Sequence, residues 1–270
     1  MPITSEWLTY EDGGQVHRMY VSRPANVKEP LPAVLVLQEV WGVSAHIRDV
    51  TDRFAKAGYV AAAPDLYAEN GERPELLSDE RIERVRTFLH SAPPQAFRDP
   101  AVREAALAER PEAERRLVQP SADALLAMPG RLPELVERTR AAYRFLQRYE
   151  PANGRTAAVG YCLGGALSAR LAAAEPELAG AVVYYGRLAG ELAEGIRCPV
   201  LGFFGGLDAG INALVPDFAR AMEEQGKAFT SHMYDGAKHA FFNDTGAGYS
   251  VEASRDSWVR TLAFLRDTLA

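Results

Sequence analysis

The sequence predicts an α/β domain with a mostly parallel central sheet, helices on both faces and a helical insertion. Three observations lead there. Short apolar segments of strand length alternate with amphipathic segments of helix length at both ends of the chain. A strand-like run meets a helix-like run across the glycine-rich turn Gly160-Tyr-Cys-Leu-Gly164. Between Gly71 and Glu150 the strand pattern disappears, leaving a stretch rich in Arg, Glu, Ala and Pro. A chain of 270 residues accommodates one such domain over 1–270, with 71–150 as a helical insertion or lid within it.

The elements follow in order. Glu6 to Tyr10 and Val16 to Val21 flank Asp12-Gly13-Gly14, a turn that joins two strands as a hairpin. Ala33 to Gln38, within LPAVLVLQ, is a β-branched and leucine run of the kind that is buried on both faces, hence a central strand. Asp49 to Ala57 reads as a helix stopped by Gly58, and Tyr59 to Ala63 as a strand broken by Pro64-Asp65. In the insertion, helical stretches fall at Asp79 to His90, Ala101 to Glu109 and Pro133 to Tyr149. The alternation then returns: strand Arg155 to Gly160, helix Leu163 to Ala174, strands Gly180 to Tyr185 and Val200 to Phe204, helix Val215 to Gln225, strand Phe229 to Tyr234, and a last helix from about Val251 to Leu269.

Composition narrows the function. With 47% hydrophobic and 24% charged residues the chain is an ordinary globular protein, which excludes disordered and collagen-like readings. A net charge of −6 lacks the basic footprint of a nucleic-acid or anionic-membrane partner. The N-terminal segment has no basic start followed by an apolar run, and no segment is long enough to span a bilayer, so the protein is expected to be cytoplasmic. Two cysteines are too few for a disulfide framework. No His or Cys spacing matches a metal site, and no Gly-x-Gly-x-x-Gly follows the first strand; neither metal nor cofactor is expected.

Chemistry concentrates at Gly160-Tyr-Cys162-Leu-Gly-Gly165. A tight strand-to-helix turn lifts the central side chain above the sheet edge, and the helix N-terminus favours a thiolate there. The Leu163 amide can then donate to an oxyanion. The bland alternative is a buried, inert cysteine, which is how Cys198, ahead of Pro199, is read. A thiol nucleophile needs a base and an orienting acid. Asp208 follows the strand Val200 to Phe204, and His239 follows the strand Phe229 to Tyr234, so both lie at the carboxyl edge of the sheet with Cys162. His17, His46, His90 and His232 are read as ordinary histidines. Gln38-Glu-Val-Trp-Gly42 follows the central strand, so the Val40 amide is the candidate second oxyanion donor. Glu39, at a buried strand end, must engage the thiol, a cation or water.

With these residues in place, the sequence resembles the dienelactone hydrolase (carboxymethylenebutenolidase) family of α/β-hydrolases. The matching stretches are Gln38-Glu-Val-Trp-Gly42, Gly58-Tyr59 leading to Pro64-Asp-Leu-Tyr67, Val159-Gly-Tyr-Cys-Leu-Gly-Gly165, Tyr184-Tyr-Gly186, Gly205-Gly-Leu-Asp208 and His239-Ala-Phe241. The resemblance implies an α/β-hydrolase fold and cofactor-free hydrolysis of a small lactone or ester through an acyl-enzyme. It implies Cys162 as nucleophile, His239 as base, Asp208 as its orienting acid, Val40 and Leu163 as oxyanion donors, and Glu39 in switching the thiol to thiolate. Substrate contacts are expected from Trp41, Tyr185, Phe241 and Asn243, with Arg84 and Arg86 of the insertion as candidate cations. Family members that act on dienelactone carry an arginine four residues after the catalytic histidine; here that residue is Asn243, a neutral amide in place of a charged fork. The competing reading is a non-catalytic, thiol-sensing or ligand-binding protein of the same fold.

Overall fold

Ile3–Asp12 (β1) and Gln15–Pro24 (β2) pair antiparallel across Gly13 and Gly14, whose φ values of 58° and 77° are what a two-residue turn between twisted strands requires. The computed structural model describes all 270 residues. Leu31–Leu37 (β3) leads into Ala45–Lys56 (α1), which starts four residues before the expected Asp49 because the Ser44 hydroxyl caps it, accepting from the Ile47 N–H. Val60–Pro64 (β4) then lies parallel to β3 and antiparallel to β2.

The insertion holds Asp79–Ser91 (α2), Pro100–Ala108 (α3), Glu112–Leu126 (α4) and Leu132–Leu146 (α5). No helix was expected at α4, which has Pro120 inside it. That proline sits on the exposed face, where the carbonyl that loses its donor is open to solvent. The expected 71–150 insertion has two parts: α2 to α4, called the lid below for their place in the chain, pack on one another, while α5 packs on the sheet against β3 and β5.

Ala152–Tyr161 (β5), Leu163–Ala174 (α6), Gly180–Tyr184 (β6), Val200–Gly205 (β7), Ala209–Asn212 (α7), Val215–Glu224 (α8), Phe229–Tyr234 (β8) and Val251–Leu269 (α9) complete the chain. The eight strands lie in the order β1-β2-β4-β3-β5-β6-β7-β8, parallel from β4 through β8. Each parallel pair needs a crossover, which the helices supply on both faces. Alternation along β3 shows the two layers: Leu35 and Leu37 point into a core of 46 buried residues shared with α5, α6, α8 and the lid, while Val34 and Val36 point into one of 22 shared with α1 and α9. No helix is long and apolar enough to cross a membrane.

The layers meet most closely where α6 leaves the sheet. A β-carbon on Gly160 would lie 1.9 Å from the Gly164 carbonyl oxygen, and one on Gly164 would lie 2.1 Å from that of Leu37. Both obstacles are backbone, so neither can swing aside. Gly160→Ala and Gly164→Ala are each expected to cost about 3 kcal/mol or more in urea denaturation, while Gly130→Ala, with nothing within 4 Å of the new carbon, should change stability by less than about 0.5 kcal/mol.

Candidate active site

The close approach of α6 places Cys162 between β5 and the helix with φ 54° and ψ −111°, a region that costs a non-glycine residue about 1–3 kcal/mol. Its N–H donates to the Tyr184 carbonyl at 3.0 Å. Gly165 and Gly186 keep the neighbouring loop close, since a β-carbon on Gly186 would lie 2.5 Å from the Gly165 carbonyl carbon. The result is a half-buried thiol at the positive end of α6.

Asp208 follows β7 and His239 follows β8, and glycine again sets their spacing: Gly205 lets the Lys238 carbonyl come within 2.6 Å of where a β-carbon would stand. His239 Nε2 lies 3.1 Å from Cys162 Sγ, and its Nδ1 lies 2.5 Å from Asp208 Oδ2. Asp208 is buried and the imidazole half-buried. Burial alone would lower the His239 pKa, but a Cys162 thiolate and the Asp208 carboxylate on its two nitrogens together push it up to about 10. Cys198, by contrast, is buried, and its thiol is pushed up to about 11 by that burial.

Beside the thiol, the loop after β3 forms a turn closed by the Gly42 N–H donating to the Glu39 carbonyl at 3.1 Å, with Gly42 at φ 76°. The Val40 N–H, on the opposite edge of that Glu39–Val40 peptide, has no acceptor in the protein. The Leu163 N–H opens α6 and has no intrahelical acceptor.

Glu39 is 2% exposed. Of the partners expected for it, neither the thiol nor a cation bonds the carboxylate. The Asn243 amide donates to its Oε2 at 2.7 Å and the Tyr185 hydroxyl to its Oε1 at 3.3 Å. The Thr245 N–H and hydroxyl both donate to Asn243 Oδ1, which turns the amide nitrogen towards Glu39. Burial, and Glu39 itself, raise the Tyr185 pKa well above its ordinary value, so the phenol stays a donor.

Glu39, Val40, Cys162, His239 and Asn243 face a cavity of about 620 Å³. Of the expected substrate residues, Trp41, Arg86 and Asn243 line it. Three do not. Arg84 pairs with Glu80 over a separate lid groove, because its position on α2 turns it away from the sheet. Tyr185 and Phe241 are fully buried behind the wall, stacked edge to face, with Tyr185 supporting the His239 ring at 5.1 Å. The sequence reading missed His90, Gln95, Phe97 and Arg98, which complete the lid side. Three of these lie on or beside a short 3-10 turn, Pro94–Phe97, that carries no periodic signal. Phe97 meets Trp41 edge-on at 6.1 Å, and the Arg98 guanidinium has no ion-pair or hydrogen-bond partner in the protein. Arg86 bonds Glu83 and the Thr245 hydroxyl.

The elbow, the acid and the base occur together in many hydrolases; the reach of the match along the chain decides which group this one joins. The family model described as the dienelactone hydrolase family matches residues 18–269. The chain belongs to the dienelactone hydrolase family. It is 32% identical over 263 residues to a protein of Saccharolobus solfataricus assigned as a carboxymethylenebutenolidase, covering 96% of this chain and 97% of the relative. A second relative so assigned, from Methylorubrum extorquens, is 30% identical over 88% of this chain and 72% of its own length. The solved structure of a protein from Klebsiella pneumoniae assigned as a dienelactone hydrolase superposes with a TM-score of 0.67 at 26% identity, covering 98% and 99% of the two chains. As a family member the protein is a hydrolase of the kind that acts on ester or lactone bonds.

The raised His239 pKa has a readable sign. The stabilisation from its proton is complete below about pH 6.5 and is lost as pH rises through about 10. Nitrogen NMR of labelled histidine should show one imidazole titrating near 10, and Cys162→Ser should move that midpoint down towards the ordinary value, since the thiolate is its larger favourable partner.

Proposed function

We propose that the protein hydrolyses small lactones or esters through a covalent thioester on Cys162. The observation that carries this reading is the continuous chain Cys162 Sγ, His239, Asp208, with contacts of 3.1 and 2.5 Å, set at three strand ends beside one cavity. His239 Nε2 takes the thiol proton, and the thiolate attacks the carbonyl carbon. The Val40 and Leu163 N–H groups hold the oxyanion. On collapse His239 returns the proton to the leaving oxygen, which for a lactone stays attached to the acyl group. His239 then removes a proton from water, the hydroxide attacks the thioester, and Cys162 leaves as thiolate. Asp208 keeps the imidazole in the tautomer and orientation both half-reactions need.

In this reading His239 is the group that takes the thiol proton, because it already touches the sulfur, whereas Glu39 would have to leave two donors first. Arg98 and Arg86 face the cavity from the lid and supply the positive charge that Asn243 lacks. For a substrate bearing a carboxylate, as dienelactone does, Arg98 is the cation free to pair with it, since Arg86 already bonds Glu83 and Thr245.

Initial rates on dienelactone and on a neutral aryl ester test the reading. Cys162→Ala is expected to lower both by at least about 10³-fold, and Asp208→Asn to lower kcat by about 10²–10⁴-fold. Hydrolysis that survives Cys162→Ala would refute the mechanism. Arg98→Ala should raise KM for dienelactone about tenfold while leaving the neutral ester within twofold; equal effects on the two would remove Arg98 from anion binding.

A further inference from the structure

The stretch Pro64-Asp-Leu-Tyr67 ends β4 and supplies no group to the reaction described above, yet its last side chain grips the turn beside the thiol. Tyr67 is 1% exposed, and its hydroxyl donates to the Val40 carbonyl at 2.9 Å. The Tyr67 N–H donates to Asp65 Oδ1 at 3.3 Å. Arg18 and Arg73 clamp the same carboxylate at 2.6 and 2.8 Å. The Arg73 guanidinium in turn lies close against Gly42, where a β-carbon would stand 2.6 Å from Nη2. The Glu39–Gly42 turn is therefore hydrogen-bonded at Val40 by a phenol and packed at Gly42 against a guanidinium, and one buried aspartate bonds both residues.

The geometry gives this contact a specific consequence. The Gly42 N–H fixes the Glu39–Val40 peptide through its carbonyl, and so aims the Val40 N–H on the other edge. The next peptide, Val40–Trp41, is the central unit of the turn, the one whose rotation interconverts turn types. Only the Tyr67 hydroxyl holds its carbonyl. We propose that Tyr67 is a positioning residue for the oxyanion site, acting through the Val40 carbonyl to keep the Val40 N–H aimed at the reacting oxygen. This rests on the reading of Val40 as an oxyanion donor.

Tyr67→Phe tests it, with p-nitrophenyl acetate as substrate and iodoacetamide as a second probe. Alkylation by iodoacetamide needs the activated thiol but forms no oxyanion. Acylation and deacylation both form one, so weaker stabilisation slows both and lowers kcat with KM nearly unchanged. The expected result is a kcat lower by about tenfold or more, with KM and the alkylation rate each within twofold of the parent protein. An unchanged kcat, with hydrolysis still dependent on Cys162, would overturn the proposal alone. Alkylation falling together with kcat would also overturn it, by showing that the phenol supports the fold or the thiol rather than the oxyanion donor. Hydrolysis that persists in Cys162→Ala would overturn the nucleophile assignment and this proposal with it.

Discussion

The contact between the first turn of α6 and the carboxyl end of β3 is the constraint on which the site depends. Gly160 and Gly164 leave no room for a side chain because the crossing backbones nearly touch, and that approach forces Cys162 into a left-handed conformation. The local strain is small beside the packing of two cores that share one sheet. It directs the thiol out of the sheet, sets the Leu163 N–H beside it, and brings the loop after β3 within reach. Further along the same edge, Gly205 and Gly186 repeat the device at lower cost, drawing in the loops that carry His239 and Tyr185.

Charge is arranged around that geometry in two separate compartments. On one side, Asp208 and the thiol face the two nitrogens of His239, an arrangement that favours the imidazolium. On the other, the Glu39 carboxylate is buried against two neutral donors, Tyr185 and Asn243. A buried carboxylate without donors would be costly, so these two groups, with Thr245 behind Asn243, explain how the wall tolerates it. Asp244, next in the chain, bonds Arg53 and His46 of α1, which ties the His239 loop to the helix that shares its core.

Much of the fold was legible because the parallel strands are unbroken apolar runs, and the candidate catalytic side chains sit where those runs end. Cys162, Asp208 and His239 were singled out jointly, from three strand ends on one sheet edge, and the structure brings their side chains within contact. The lid was less legible, for physical reasons. The helix α4, with Pro120 on its exposed face, lay outside the expected helical stretches, and α5, though rich in charge, packs on the sheet. Cavity-lining residues were hardest: Arg84 and Arg86 are two apart on α2 and so point to different faces. Arg98 and Phe97 reach the cavity from a turn too short to have a pattern. Tyr185 and Phe241 fall in matching stretches because they support the wall, a role that sequence similarity does not separate from contact with substrate.

Covalent catalysis by Cys162 is tested by intact-mass measurement of rapidly quenched protein during turnover of a neutral ester. The expected result is one acyl group per chain, mapped to the peptide that contains Cys162 and absent from Cys162→Ala. Turnover with no adduct on Cys162 in any quenched sample, together with hydrolysis by the Cys162→Ala protein, would contradict it.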